Sequence, residues 1–148
     1  MKQLFKLGFV IFLLSASSCY SQQMVQKTTD AKVLQNKKQD FIGKPLSELL
    51  KQIAPKIKLV YGNPENTWAG ATGGTYLKFH FIDRSEYGNK LKSNKRPAAI
   101  VVTFKLDPNN KHKPLPKGGL NEWADEQTKE YGDMIIVNLR VNDDEDKM

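Results

Sequence analysis

The sequence predicts an α+β domain. It is a two-layer sandwich with a roughly four-stranded, mainly antiparallel sheet and two helices on one face, in the order α-β-β-β-α-β. Three observations carry this. Four segments alternate apolar and polar residues with the two-residue period of a strand. Two others place apolar residues three and four apart, one stripe of a helix. Each strand has one strongly apolar face and one mixed or polar face, so the sheet is covered on one side. A doubly wound parallel sheet would need central strands that are apolar on both faces.

The elements follow in order. Leu46, Leu49, Leu50 and Ile53 form the first helical stripe, with Pro45 in its first turn and Pro55 just beyond its end. Residues 56–61 read as a strand with Ile57, Leu59 and Tyr61 on one side. The stretch 62–74 (GNPENTWAGATGG) is a loop by composition. Residues 75–82 place Leu77, Phe79 and Phe81 on one face and Tyr76, Lys78 and His80 on the other. A basic loop over 83–97 leads to a strand over 99–106, where Ile100, Val102, Phe104 and Leu106 share a face. After a Pro- and Asn-rich loop, a helix over 121–131 has Asn121 as its cap and Gly132 as a stop with positive φ. The last strand, 133–141, groups Ile135, Val137, Leu139 and Val141 on one face.

Four regions are predicted: a signal peptide (1–21), a polar linker or tether (22–40) with one helical turn or two around 31–38, a single α+β domain (41–141) and an acidic tail (142–148). Lys2 and Lys6 form a basic start, and LGFVIFLL (7–14) is an apolar run followed by small residues, the layout of a secretory signal peptide. The run is far short of the ~20 apolar residues of a transmembrane helix. Two processing routes are open. A leader peptidase would cut before Gln22, since Tyr20 is flanked by Cys19 and Ser21, both small. The segment Ala16-Ser17-Ser18-Cys19 resembles a bacterial lipobox, departing from it by Ala16 in place of leucine, and that resemblance implies a lipid anchor on Cys19. Either route implies export, to the periplasm or the outside, with membrane anchoring as one alternative.

Cys19 is the only cysteine, so the exported domain has no disulfide and stands on packing alone. The whole chain has a net charge of +7. The leader holds two of the 23 basic residues and none of the 16 acidic ones, which leaves +5. That excess is compatible with an anionic partner.

The alternation sets out a candidate binding face. Lys58, Lys78, His80, Lys105 and Arg140 should point outward together, among Tyr76, Thr103 and Asn138. The adjoining 84–96 stretch adds Lys90, Lys92, Lys95 and Arg96 against Glu86 alone. Such a face suits an anionic surface or polymer, a glycan or an acidic envelope protein; the competing reading is a solvated sheet face kept soluble by lysine. Trp68, in the glycine-rich loop with Asn63, Asn66 and Thr67, either stacks on a sugar or folds back onto the core. The glycines around it lack the Gly-Lys-Ser/Thr of a phosphate loop. Trp123 reads as core.

Catalytic signals are thin, and nothing argues for an enzyme. His80 and His112 have no ligand-spaced partner, so no metal or other cofactor is expected. Glu122, Asp125 and Glu126 crowd the second helix as a solvated face, and no Gly-x-Ser-x-Gly elbow is present. The expected function is a non-catalytic secreted or envelope-associated binding module. The alternative is a structural or assembly lipoprotein of an envelope complex. A hydrolase using His80, Glu122 or Asp125 stands third. Intracellular nucleic acid is not the expected partner of an exported chain, and the sheet lacks the stacking aromatics of an RNA-recognition motif.

Overall fold

The computed structural model describes residues 23–63, 75–105, 115 and 119–142. The architecture is α+β, and the described residues form five strands rather than four and four short α-helices rather than two. The strands are β1 (Leu59–Asn63), β2 (Thr75–His80), β3 (Ala99–Phe104), β4 (Leu120–Glu122) and β5 (Ile136–Asn142). The helices are α1 (Lys32–Asn36), α2 (Leu46–Leu50), α3 (Arg84–Lys92) and α4 (Asp125–Tyr131). The sheet order is β4-β1-β2-β3-β5, and every neighbouring pair is antiparallel.

One sheet face carries the core. Val60, Leu77, Phe79, Ile100, Val102, Phe104, Ile136 and Leu139 pack against Leu34 of α1, Leu46 and Leu49 of α2, and Trp123 and Tyr131 around α4. Trp123 is a hub, as the sequence predicts: Phe79 meets it edge to face at 4.9 Å and Tyr131 stacks at 6.2 Å. Such aromatic pairs contribute about 1 kcal/mol each beyond the area they bury.

The largest correction concerns the segment the polarity predicts as a linker. Residues 23–40 are part of the fold. Val25 and Leu34 are fully buried and Ala31 nearly so. Val25 pairs with Ile53 in a parallel bridge, its N–H donating to Gln52 O at 2.9 Å and its carbonyl accepting from Ala54 N at 2.8 Å. The segment is polar because it is short and lies across the surface, with few side chains facing inward.

The second helix of the prediction begins later. Residues 120–122 extend the sheet along β1, where the outer edge needs a partner, and the helix starts at Asp125. Asn121 bonds the Gly119 carbonyl rather than capping, and the Gln127 side chain accepts from the Ala124 N–H instead. Gly132 ends α4 at a φ of −63°, an ordinary helical value, not the positive φ expected. Its carbonyl accepts from Ser47 N at 2.9 Å, tying the end of α4 to the start of α2.

The predicted basic loop holds a helix, α3. Asp83 caps it by accepting from Glu86 N at 2.9 Å, Glu86 sits in the first turn, and Lys90 and Lys92 sit in the last. That charge order suits the helix dipole. None of its residues is buried, so capping rather than an apolar stripe defines it.

Two strands differ in phase from the prediction. β1 turns Val60 to the core and leaves Tyr61 exposed. β5 carries a bulge opposite Thr103 and Phe104, so Phe104 faces Ile136 while Val102 faces Leu139. The extra residue sends Ile135 and Val137 to solvent, at 38% and 45% exposure.

Both outer strands carry side-chain contacts on their outward groups, β5 more than β4. On β5 the N–H groups of Leu139 and Val141 donate to Asn138 Oδ1 at 3.0 Å and Gln35 Oε1 at 2.9 Å. On β4 the Leu120 carbonyl accepts from Arg84 Nη2 at 2.9 Å. Side chains therefore occupy positions where a further strand would pair.

Candidate functional site

The second face of the sheet is where the predicted binding residues must be placed. Its cross-strand rows follow from the register. One row runs Leu120, Tyr61, Lys78, Val101, Arg140, and the next runs Tyr76, Thr103, Asn138. Neither row contains a carboxylate. In the row beyond Tyr61, Leu59 pairs with His80, and both are buried. There the face is not open, because α3 folds over it.

His80 shows how the cover is made. It shares the face of Lys78, as alternation predicts, yet it is only 3% exposed. Tyr87 of α3 meets its ring edge to face at 5.1 Å. Its Nδ1 lies 2.8 Å from the Ala98 carbonyl, so Nδ1 carries the proton, and the buried Nε2 has no hydrogen-bond partner. Burial pushes the imidazole below its ordinary value of 6.5, Ala98 opposes this, and the Lys78 charge adds to the depression. A neutral, buried histidine is a packing element here, not an outward ligand contact.

The sign of the resulting pH dependence is fixed. The unfolded chain takes up a proton near pH 6.5, while the folded imidazole resists it to lower pH. Stability is therefore full above about pH 6.5 and falls as pH drops toward the folded value, by up to about 1.4 kcal/mol per pH unit. The melting temperature is expected to fall between about pH 7 and pH 5. His80→Gln should flatten that part of the profile. A profile equally steep in the variant would show that this imidazole is not its source.

Around Lys78 the face is aromatic and partly exposed, and Val101, between Lys78 and Arg140 in the row, is buried. The Tyr61 and Tyr76 rings lie 6.4 Å apart with a 42° tilt, and the Lys78 ammonium stands 5.6 Å from the centroid of each. Tyr61 is 37% exposed and Tyr76 is half-buried. The phenol of Tyr76 is held above its usual range by burial and then by Tyr61, and that of Tyr87 by burial and then by Tyr61. The phenols therefore stay protonated and can donate or accept hydrogen bonds beside a cation.

The other predicted residues separate. Arg140 sits in the Lys78 row across Val101, and Lys105 is exposed just past β3. Lys58 is not with them. It precedes β1, its N–H and carbonyl joined to β2 and to Trp123, and its ammonium lies 4.0 Å from Asp83. Trp68 and Cys19 lie outside the described residues, as does the tail beyond 142. Tyr61 and Tyr87 escape the sequence reading. The signal for Tyr87 was the Asp83–Glu86 capping pair. Tyr61 had no clear signal, because Leu59 and Val60 are both apolar and leave the phase of β1 undetermined.

Elsewhere, a groove of about 550 Å³ lies between the end of α2 and α4, lined by Leu50, Ile53, Pro55, Ile57 and Trp123. On its rim Lys51 is paired with Glu48 at 2.7 Å, which holds that carboxyl below its usual range. Glu122, Asp125 and Glu126 are all exposed, with Glu122 on β4 and the other two on α4, so they do not converge. Among the described residues no cluster of His, Cys, Asp and Glu could hold a metal ion, and no helix is long and apolar enough to cross a membrane. No protein-family model, curated protein or solved structure matches the chain.

Proposed function

We propose that this chain is an exported, non-catalytic binding module whose partly exposed sheet face takes an anionic ligand. One observation carries the reading: the Lys78 ammonium is held over two tyrosine rings, with Arg140 two strands away in the same row and no carboxylate between. Two strand spacings put these cations on the order of 10 Å apart at their backbones. The flanking rings keep the ammonium at this face in the free protein, from where it can turn to an incoming anion. The basic, then apolar, then small-residue order of the N-terminal segment supports export.

The test is a double substitution, Lys78→Gln with Arg140→Gln, measured by calorimetry against polyglutamate at low salt. Arg140 is exposed and Lys78 half-buried, and neither belongs to the core, so the variant should fold, which its melting curve checks. Affinity is expected to fall about tenfold, since each exposed charge pair contributes up to about 1 kcal/mol. An unchanged affinity, or a parent protein that binds no anionic polymer, would overturn the proposal. The alternative, a structural component of an envelope complex, draws on Ile135 and Val137, the exposed apolar pair beside this face. It predicts co-purification with membrane complexes rather than ligand-dependent thermal stabilisation.

A further inference from the structure

We infer that the anionic ligand is an acidic polysaccharide, a chain of sugar rings bearing carboxylates; this rests on the proposed binding role of the sheet face. Three features of the molecule separate this ligand from the other anions that a basic face attracts.

The first is the state of the sheet edges. An extended acidic peptide binds a sheet most strongly by adding a strand, through main-chain hydrogen bonds. Here Gln35 and Asn138 occupy N–H groups of β5, and Arg84 occupies the Leu120 carbonyl of β4. Strand addition would have to displace these contacts, which favours recognition by side chains on the face.

The second is shape. α3 stands over the end of the face where Leu59 and His80 are buried, which leaves the Tyr61–Arg140 row beside a step. A bilayer is a plane and would meet α3 before it met the Lys78–Arg140 row. A single polymer chain can lie along the step.

The third is the chemistry of the floor. Tyr61 and Tyr76 offer tilted rings on neighbouring strands, and Thr103 and Asn138 continue the same face with a hydroxyl and an amide. The ring face is electron-rich, so it attracts the weakly positive C–H groups on one side of a pyranose. Phenol, hydroxyl and amide groups can each exchange hydrogen bonds with sugar hydroxyls. Lys78 and Arg140 then bind carboxylates on successive parts of the chain. In the free protein the Lys78 ammonium rests against the two rings; on binding it turns to a carboxylate and a sugar takes its place.

The experiment compares short oligogalacturonate with polyglutamate of similar charge, a neutral galactose oligomer and phosphatidylglycerol vesicles, all with the full exported chain. Oligogalacturonate should bind best and the neutral oligomer at least about tenfold more weakly. Tyr61→Leu and Tyr76→Leu, checked for unchanged melting, should weaken oligogalacturonate about tenfold and alter polyglutamate by less than about twofold. Lys78→Gln should weaken both. Tyrosine variants that bind oligogalacturonate normally, or a preference for polyglutamate or vesicles, would overturn the polysaccharide while leaving an anion-binding face in place. Failure of every anion to bind would remove both.

Discussion

Leu34→Asp is expected to abolish cooperative unfolding, while Val33→Asp beside it should leave the melting curve within about 0.5 kcal/mol of the parent. The two residues are neighbours in α1. Leu34 is fully buried among core residues that include Val25 and Ile136, whereas Val33 is 40% exposed. Even Leu34→Ala should cost roughly 3 kcal/mol, through lost burial and the cavity left behind. An aspartate there must either stay charged without a partner or take up a proton, and both are costly against the ~5–15 kcal/mol that holds a domain together. If residues 23–40 were a tether, both aspartates would be silent. Urea melts of the two variants therefore ask directly whether the fold begins near Val25. A Leu34→Asp protein that melts like its parent would refute the packing described here.

Gly62→Ala should cost about 3 kcal/mol, and Gly88→Ala should stabilise the protein by up to about 1 kcal/mol. Gly62 lies in β1 opposite Leu77, with φ at +157°. A Cβ placed there would run into the Tyr76 carbonyl oxygen and stand 3.0 Å from Leu77 Cα. Both obstacles are backbone, so relief requires β1 and β2 to move apart. Movement there would also disturb Tyr61 and Tyr76, which flank this position. Gly88, inside α3, has nothing within 4 Å of the same added atom, and alanine there only restricts the unfolded chain. Opposite signs for one chemical change would show that packing, not composition, decides the outcome. Equal and small effects would mean that β1 and β2 do not approach as described.

The two largest effects both fall where the sequence was hard to read, and the reasons are physical. Val25, Ala31 and Leu34 face inward from short turns among lysines and glutamines; the helical turns around 31–38 are legible, but three apolar residues are too few to mark them as buried. The central strands were legible because β2 and β3 have one core face and many neighbours. In β2, Leu77 and Phe79 alternate with Tyr76 and Lys78 as the pattern predicts. β1 was not, because Leu59 is buried on the second face beside His80 while the core buries Val60. Two layers meeting at one strand erase its alternation. The bulge in β5 depends on the pairing with Thr103 and Phe104, which no local pattern reports.

The same distinction applies to the site. Tyr76, Lys78 and Arg140 were legible because alternation alone assigns them to one face, and the register then sets Lys78 and Arg140 in one row. His80 was assigned to the correct face, but its burial depends on a helix that the local polarity concealed. Lys58 falls away because it lies outside β1, where strand alternation no longer sets its direction. Tyr61 joins the site through the register Tyr61 to Lys78, a long-range fact.

The most direct test of the proposed binding face is residue-resolved chemical-shift mapping during titration with oligogalacturonate at low salt. The account predicts shifts concentrated at Tyr61, Tyr76, Lys78, Thr103, Asn138 and Arg140, with Trp123 and the α2–α4 groove unmoved. Shifts centred on Leu50, Ile57 and Trp123, or none on the sheet face at saturation, would contradict it.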